Sequence, residues 1–234
     1  MKRGTGESQV RVELHLHTQA SKDSLVKPER LLKHCEKIGV DRFAVTDHNV
    51  IEGAFELKEK APDRVIIGEE IETTQGELIA YFMTEWVAPG LQPMDAIERL
   101  RQQGAVISVP HPFDTVRGQF WSEEELLRIA PFVDAIEVFN ARCLNNAPNA
   151  KAADFAWDQG LLGTVGSDAH SLQEVGQASL IMPAFEDAQH FLAALKSAKQ
   201  RTKLSPAYVH LFSRYAAFVK GFSKIFSKAS PVDP

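Results

Sequence analysis

The sequence contains few cysteines, since Cys35 and Cys143 are the two among 234 residues. Two thiols cannot build a disulfide framework, which favours a reducing compartment. The sequence also has no run of about 18 uncharged apolar residues, the length that a membrane-spanning helix needs. Residues 1–10 lack the apolar stretch of a secretory signal. These absences argue against a secreted disulfide scaffold and a membrane protein, and we expect a soluble, cytoplasmic protein.

An excess of basic residues is missing too, because 26 Lys and Arg stand against 31 Asp and Glu, a formal net charge of −5. An acidic chain argues against general nucleic-acid binding. The charge is uneven, since the segment from Lys196 onward has eight basic residues and one acidic residue, a net of +7 that leaves −12 for the residues before it. We therefore predict an α/β domain over residues 8–200 and a basic tail over residues 201–234.

The tail is predicted to form an amphipathic helix. Its apolar residues recur at helical spacing and are Tyr208, Leu211, Phe212, Tyr215, Phe218, Val219, Phe222 and Phe226. Its basic residues lie opposite and are Arg214, Lys220, Lys224 and Lys228. We favour a helix that packs on the domain or at a dimer contact, with a peripheral membrane surface or a partner groove as the alternatives. We expect no catalysis from the tail and assign His210 a structural role, and the sequence leaves the oligomeric state open.

Short apolar or alternating runs, separated by helical patterns, organise the first 200 residues. The predicted strands cover residues 10–16, 43–46, 65–71, 78–83, 105–109, 135–139 and 163–165. The predicted helices cover residues 28–39, 94–103, 123–129, 151–159 and 187–199. This alternation favours parallel strands with crossover helices, as in an α/β barrel or a doubly wound sheet.

Side chains that bind metals follow nearly every predicted strand. They are His15, His17, Asp47, His48, Glu69, Glu70, His111, Asn140, Asp168 and His170. Barrel enzymes build their active sites at the C-terminal ends of the strands, whereas doubly wound sheets collect ligands at one switch point. The spread of these residues along the chain therefore favours the barrel.

The tripeptide His15-Leu16-His17 places two imidazoles on one face of a strand, because residues i and i+2 of a strand point the same way. Asp168-Ala169-His170 repeats the spacing. For one such pair, two solvated histidines are the alternative, but the repetition indicates a polynuclear metal site. Imidazole and carboxylate ligands without a Cys motif fit Zn, Mn or Fe, and such a site suits hydrolysis of a phosphate ester.

Five motifs together resemble the PHP family, the polymerase and histidinol phosphatase superfamily. They are His15-Leu16-His17, Thr46-Asp47-His48, Gly68-Glu69-Glu70-Ile71, Pro110-His111-Pro112 and Ser167-Asp168-Ala169-His170. They occur in the family's order, and the resemblance covers residues 10–200. It implies a distorted (β/α)7 TIM-like barrel that holds two or three divalent ions. It also implies a phosphoesterase in which a metal-activated hydroxide attacks the phosphate ester.

The resemblance implies roles for residues at the first two metal positions. His15 and His17 match the pair of histidines on the first ion, and Asp168 matches the aspartate that completes that site. Glu70 matches the carboxylate that bridges two ions, in preference to its neighbour Glu69. His111 matches a ligand of the second ion.

The resemblance also implies a third metal position. Asp47 and His170 match its ligands, and His48 matches a further ligand or a proton-transfer group, so that His48 and Asp47 are the candidate catalytic residues. Glu77 occupies a position where many members carry histidine, and it could ligate the third ion in its place. Glu137 is the candidate for a further ligand of the second ion, with a solvent-facing strand residue as the alternative.

Phosphate needs cationic or amide donors in addition to metal. Arg142 and Arg117 are the candidates, because a guanidinium can bind phosphate through two parallel hydrogen bonds. A surface salt bridge is the alternative for each arginine. Asn140 either orients the substrate or closes a turn.

These observations predict a metal-dependent phosphoesterase that acts on a small phosphomonoester or a nucleotide. One alternative is a nuclease with the same site chemistry that acts on DNA or RNA ends, with nucleic acid bound only as substrate. A second alternative is a non-catalytic metal-binding interaction module. The acidic domain argues against the nuclease, and the nearly complete set of ligands argues against the non-catalytic module.

Overall fold

The computed structural model of the protein describes residues 8–116 and 121–227. The strands are β1 Gln9–Glu13, β2 Arg42–Val45, β3 Val65–Glu72, β4 Glu77–Tyr81, β5 Val106–Val109, β6 Ala135–Asn140, β7 Leu162–Gly166, β8 Ala178–Pro183 and β9 Lys199–Thr202. The helices are α1 Pro28–Lys37, α2 Glu52–Lys60, α3 Pro93–Gln102, α4 Glu123–Ile129, α5 Ala147–Gln159, α6 Ala188–Leu195 and α7 Val209–Ser227. A short 3₁₀ turn, Ala130–Phe132, follows α4.

Within these residues the strands form one sheet in the order β7-β6-β5-β4-β3-β2-β1-β8-β9. The sheet curls into a barrel of its first seven strands, because Leu16 just after β1 forms a parallel bridge to Ala169 just after β7. The amide of His17 donates to the carbonyl of Ala169 at 3.0 Å, and that of Ala169 donates to the carbonyl of His15 at 3.3 Å. The predicted α/β barrel is confirmed.

The direction of one strand distorts the barrel. β4 runs antiparallel to both β3 and β5, whereas the β1–β2, β2–β3, β5–β6 and β6–β7 pairs are parallel. The prediction that the barrel strands are all parallel was therefore wrong for β4. The turn between β3 and β4 is four residues long, too short for a crossover helix, so the chain must turn back on itself.

The sequence analysis missed β8, β9 and α2. β8 adds antiparallel to β1, and β9 continues the sheet beyond it. All four residues of β9 are exposed and polar, so no alternation marks the strand, and β9 takes the last residue of the predicted helix over residues 187–199. Residue 200 falls inside β9, and the division into two units there stays a prediction.

The helices cover the outside of the barrel with apolar stripes. α1 begins at Pro28, whose missing amide hydrogen costs nothing in the first turn, and it buries Leu31 and Cys35. Gly39 follows the helix with φ of +70°, a conformation that glycine adopts without strain. The helices therefore occupy the outside of the barrel. The polar side chains that follow its strands lie at one end of the barrel.

Candidate metal centre

Most of the metal-type side chains named above lie at one end of the barrel. His15, His17, Asp47, His48, His111, Asp168 and His170 follow parallel strands, and Glu70 and Glu137 lie near the ends of β3 and β6. Glu77 reaches the same end because β4 is antiparallel, so that its first residue lies opposite Glu72, the last residue of β3. All of these side chains except the partly exposed His48 are buried, so the site is a cluster of charge withdrawn from water.

Four ligand atoms outline a position for one cation. Oε2 of Glu70 lies 3.2 Å from Nε2 of His15 and 3.3 Å from Nε2 of His17. Oδ1 of Asp168 lies 3.7 and 3.3 Å from the same two nitrogens. Tetrahedral zinc with ligand bonds of 2.0–2.2 Å separates its ligand atoms by about 3.3–3.6 Å. The spacing of the four atoms therefore fits a divalent ion at their centre.

Glu70 lies between this cation position and the side chains of His111 and His48. Its Oε1 is 3.0 Å from Nε2 of His111, and its Oε2 is 3.1 Å from Nδ1 of His48. Glu77 approaches both histidines, at 3.7 Å from His111 and 4.0 Å from His48. Each oxygen of Glu70 thus faces a different set of ligands, as a carboxylate shared between two ions does.

Two buried nitrogens support the fit of metal ions to this cluster. Nε2 of His17 and Nδ1 of His48 make no hydrogen bond of acceptable geometry within the described residues. A buried polar atom that is left unpaired costs free energy, so native proteins rarely keep one without a purpose. Coordination of a cation would satisfy Nε2 of His17, and it would satisfy Nδ1 of His48 if that residue is a ligand.

A third group of ligands includes a residue that the sequence analysis missed. Oδ2 of Asp23 lies 3.2 Å from Nε2 of His170 and 3.7 Å from Nε2 of His48. Burial raises the pKa of Asp23, but His170, His48 and His17 outweigh it, and the pKa falls below its ordinary value. Asp23 belongs to an irregular loop without periodicity, so no signal in the sequence pointed to it.

We expect Asp23→Asn to lower the metal content of reconstituted protein by about one ion per chain, because an amide is a far weaker ligand than a carboxylate. Elemental analysis measures the content, with Asp158→Asn as control because Asp158 is exposed on α5. A metal content equal to that of the wild type would show that Asp23 takes no part in ion binding.

Glu137 orients a ligand and does not face the ions. Its Oε1 lies 2.9 Å from Nδ1 of His15, and its Oε2 accepts hydrogen bonds from the amide of His111 and from Nδ2 of Asn140. With Nδ1–H donated to Glu137, Nε2 of His15 presents its lone pair to the cation position. The structure therefore places Glu137 behind His15 and not among the ligands of the second ion.

Asp47 has a comparable supporting position. Its carboxylate accepts hydrogen bonds from the amide and hydroxyl of Thr18, both at 2.6 Å, and from the hydroxyl of Ser21 at 2.7 Å. Ser21 in turn lies 3.1 Å from Nδ1 of His17. Both oxygens of Asp47 are thus engaged in holding the loop after β1, and the structure does not bring Asp47 to the third group of ligands or to a catalytic position.

Burial and neighbouring charges shift the pKa values in this cluster strongly. Burial, with His170 and His48 close by, lowers the pKa of His17 to about 3. Burial also opposes ionisation of Glu70, but the surrounding histidines outweigh it and hold the pKa of Glu70 well below its ordinary value. A neutral His17 beside an ionised Glu70 is the protonation state in which both residues bind metal.

The backbone of two candidate ligands is strained. His111 has φ of +28° and Asp168 has φ of +52°, in the left-handed region that non-glycine residues rarely adopt. Such conformations cost roughly 1–3 kcal/mol each and persist where the surrounding structure enforces them. Here the strained backbone accompanies side chains that point into the cluster, His111 toward Glu70 and Asp168 toward His15 and His17.

The candidate phosphate-binding residues occupy different places. Arg142 is buried: its Nη1 lies 2.6 Å from Nδ1 of His170, its Nη2 donates to the hydroxyl of Ser213 at 2.8 Å, and Oε1 of Glu174 lies 3.3 Å from its Nε. It therefore supports His170, and its contact with phosphate stays a prediction. Asn140 donates to Glu137 and to Asp168, which gives it a supporting role within the cluster. Arg117 lies outside the described residues.

A cleft of about 360 Å³ opens above the cluster. Its lining includes His48, Glu77 and His170 from the cluster, and Lys22 and Arg142 beside them. This volume lies in the range of small-molecule sites. The site therefore combines several cation positions with room for a substrate above them.

Comparison with known proteins supports this picture. Residues 13–130 match the PHP domain family, and residues 146–199 match the PHP-associated family. The chain belongs to the PHP family. It is 38% identical over 172 residues to an uncharacterised protein of Methanocaldococcus jannaschii, covering 72% of this chain and 69% of that protein. A second uncharacterised protein of that organism is 34% identical over 145 residues, covering 56% of this chain and 82% of the relative.

Two solved structures are similar to this chain in fold. A two-domain protein from Bacteroides vulgatus, which contains a predicted PHP-like metal-dependent phosphoesterase, superposes with a TM-score of 0.69 and 20% identity over 85% of this chain. A lesion-specific endonuclease from Pyrococcus furiosus superposes with a TM-score of 0.62 and 15% identity over 82% of this chain. This chain spans 66% and 58% of those two proteins, which are longer. These similarities show the fold.

Proposed function

We propose that this PHP domain hydrolyses a small phosphomonoester in the cleft above the metal cluster. The carrying observation is the close set of ligand atoms from His15, His17, Glu70 and Asp168, with Glu70 shared toward His111. When bound there, two or three divalent ions such as Zn, Mn or Fe would polarise the phosphoryl oxygen and activate water for attack. The identity and number of the ions belong to the proposal.

The residues of the chain divide the remaining tasks. Glu137 holds the Nδ1 proton of His15, and Ser21 accepts that of His17, so both rings present Nε2 to the ions. His48 reaches the cleft with one nitrogen beside Glu70 and the other beside Asp23, and we assign it proton transfer to the leaving group, with a ligand role as the alternative. Lys22, at the rim of the cleft, is paired with Glu72, and we assign it attraction of the anionic substrate.

A nuclease with the same site chemistry is the second candidate, because one structural neighbour is an endonuclease. The size of the cleft and the acidic charge before Lys196 favour a small substrate over a polymer. The third candidate, a non-catalytic metal-binding module, has less support. A protein that only bound metal would not need a cleft for a substrate above ligands that other side chains hold in place.

Cytoplasmic location and contact of α7 with a membrane or partner stay predictions. Within the described residues, no helix is long and apolar enough to cross a bilayer. Tyr208, just before α7, and Leu211, Tyr215 and Phe218 on it are exposed, and the side chains of Phe222, Lys224, Phe226 and Lys228 lie outside the described set.

A substrate screen tests the proposed function. Protein reconstituted with Zn, Mn or Fe should contain two or three ions per chain and release inorganic phosphate from small phosphomonoesters. The panel includes sugar phosphates, histidinol phosphate, nucleotides and short oligonucleotides. Chelation should remove the activity, and readdition of metal should restore it. Faster hydrolysis of oligonucleotides than of every small ester would favour the nuclease, and metal binding without any turnover would favour the non-catalytic module.

A further inference from the structure

Helix α7 packs on the barrel by one of its sides. Val209 and Ala216 are buried there, and the hydroxyl of Ser213 between them accepts a hydrogen bond from Arg142 at 2.8 Å. One turn further on, the ammonium of Lys220 donates to backbone carbonyls of the loop after β1. Seven residues of helix span about 10 Å, so α7 crosses the mouth of the barrel from the loop after β6 to the loop after β1.

The side of α7 that points away from the barrel is apolar and exposed. Leu211 and Tyr215 lie there one helical turn apart, and each is 63% exposed. Phe212 and, just before the helix, Tyr208 are exposed as well, and their rings contact each other at 6.0 Å. We call these four residues the outer face. Contiguous exposed apolar patches of this kind mark sites of contact with a protein or a membrane.

A groove of about 310 Å³ continues the outer face toward α1. Phe212 and Tyr215 line the groove from α7, Leu25 adds exposed apolar surface, and Lys27 and Arg30 line it at the start of α1. Among the described residues that line the groove there is no Asp or Glu. Neither Lys27 nor Arg30 forms an ion pair with another described residue. Two cations thus border the apolar surface.

The charge around the outer face has one sign. Arg214 follows Leu211 by three residues on α7, and the sequence has no acidic residue between Asp187 and Asp233. The acidic excess of the chain, −12, belongs to the residues before Lys196. Salt at physiological strength screens exposed charges that lie more than about 8 Å apart, so distant carboxylates act weakly here. A surface in contact with the outer face therefore meets cations first.

We propose that the outer face of α7 docks on the surface of an anionic lipid bilayer, with Leu211 and Tyr215 inserted among the headgroups. Apolar and aromatic side chains bury themselves at that depth, and neighbouring Lys and Arg side chains attract anionic lipids. A second copy of the chain fits less well, because a symmetric dimer brings the same patch of both copies together and its cations would repel each other. This inference is independent of the reaction in the cleft.

The test measures co-sedimentation of the full-length protein with vesicles of phosphatidylcholine and phosphatidylserine, and with vesicles of phosphatidylcholine alone. We expect binding to the mixed vesicles that weakens as salt is added, and much weaker binding to the neutral vesicles. Replacing Lys27, Arg30 and Arg214 by glutamine should lower the affinity for the mixed vesicles by about fivefold for each charge removed. The affinity for the neutral vesicles should not change.

A second variant, Leu211→Ser with Tyr215→Ser, removes the inserted side chains, and we expect its affinity for the mixed vesicles to fall by about tenfold or more. The matched control is Leu127→Ser with Trp157→Ser. These two side chains are 46% and 87% exposed and lie near the ends of α4 and α5 that lead into the next strands, at the opposite end of the barrel. The control should bind like the wild type, and circular dichroism should be the same for all variants.

Three outcomes with vesicles would overturn the proposal: no co-sedimentation at low salt, equal binding to mixed and neutral vesicles, or an equal loss of binding in the control. Analytical ultracentrifugation without lipid examines the second copy. A dimer that Leu211→Ser with Tyr215→Ser separates into monomers would assign the outer face to self-association and overturn the proposal as well.

Discussion

Glu70→Gln should abolish turnover and sharply lower the metal content, while the fold stays intact. One oxygen of Glu70 faces His15, His17 and His48 and the other faces His111, so the side chain is central to the cation positions. An amide carries no negative charge to neutralise two cations, and its NH₂ group would face ligand nitrogens. Loss of a group that only orients a ligand lowers metal affinity or activity by about 10–100-fold. Loss of this shared carboxylate should therefore lower both by more than about 100-fold.

The matched control is Glu69→Gln on the same strand. The side chain of Glu69 points to the opposite face, where its Oε2 accepts from the amide of Val87 at 3.2 Å. Burial raises the pKa of Glu69 to about 8, so the side chain is largely protonated at pH 7 and glutamine resembles it closely. Kinetics, elemental analysis and circular dichroism of both variants check the prediction. Full activity of Glu70→Gln with a defect in Glu69→Gln would transfer the bridging role to Glu69.

Gly166→Ala should disrupt the site without removing any of its functional groups. A Cβ atom at Gly166 would lie against Oε1 of Glu137 and 2.5 Å from Cβ of His15. These two side chains form the 2.9 Å contact that orients His15, so at least one of them must move. We expect metal affinity to fall about 10–100-fold, as for the loss of an orienting partner, and stability to fall by roughly 1–3 kcal/mol from overpacking.

Gly163→Ala is the control within the same strand. A Cβ atom there would meet the side chain of Val138 at 3.0 Å, away from the cluster, so Val138 would have to shift by a few tenths of an ångström. We expect near-normal metal content, with at most a modest loss of stability. Metal titrations and thermal unfolding distinguish the two variants. Wild-type metal affinity in Gly166→Ala would show that the contact between Glu137 and His15 does not control ion binding.

The sequence by itself determined the family and the barrel fold. Local periodicity places His15 and His17 on the same side of the segment that follows β1, and it places polar residues where strands end. These features depend on residues that are neighbours along the chain, which is why they can be read from the sequence. They also indicated an imidazole and carboxylate site, because the types of ligand depend on the residues alone.

The tertiary structure alone decided where each side chain points within that site. Glu137 and Asp47 carry the same carboxylate as Glu70, but their oxygens face His15 in one case and the loop of Thr18 and Ser21 in the other. The direction in which each carboxylate points depends on the register between paired strands, on where each strand ends and on the reversed direction of β4. These features join residues that are far apart in the sequence. Asp23 lines the cleft from the loop after β1, and His210 lines it from α7, which lies well beyond His170 along the chain. No local pattern encodes such an approach, since it follows from the closure of the barrel and the packing of α7 across its mouth.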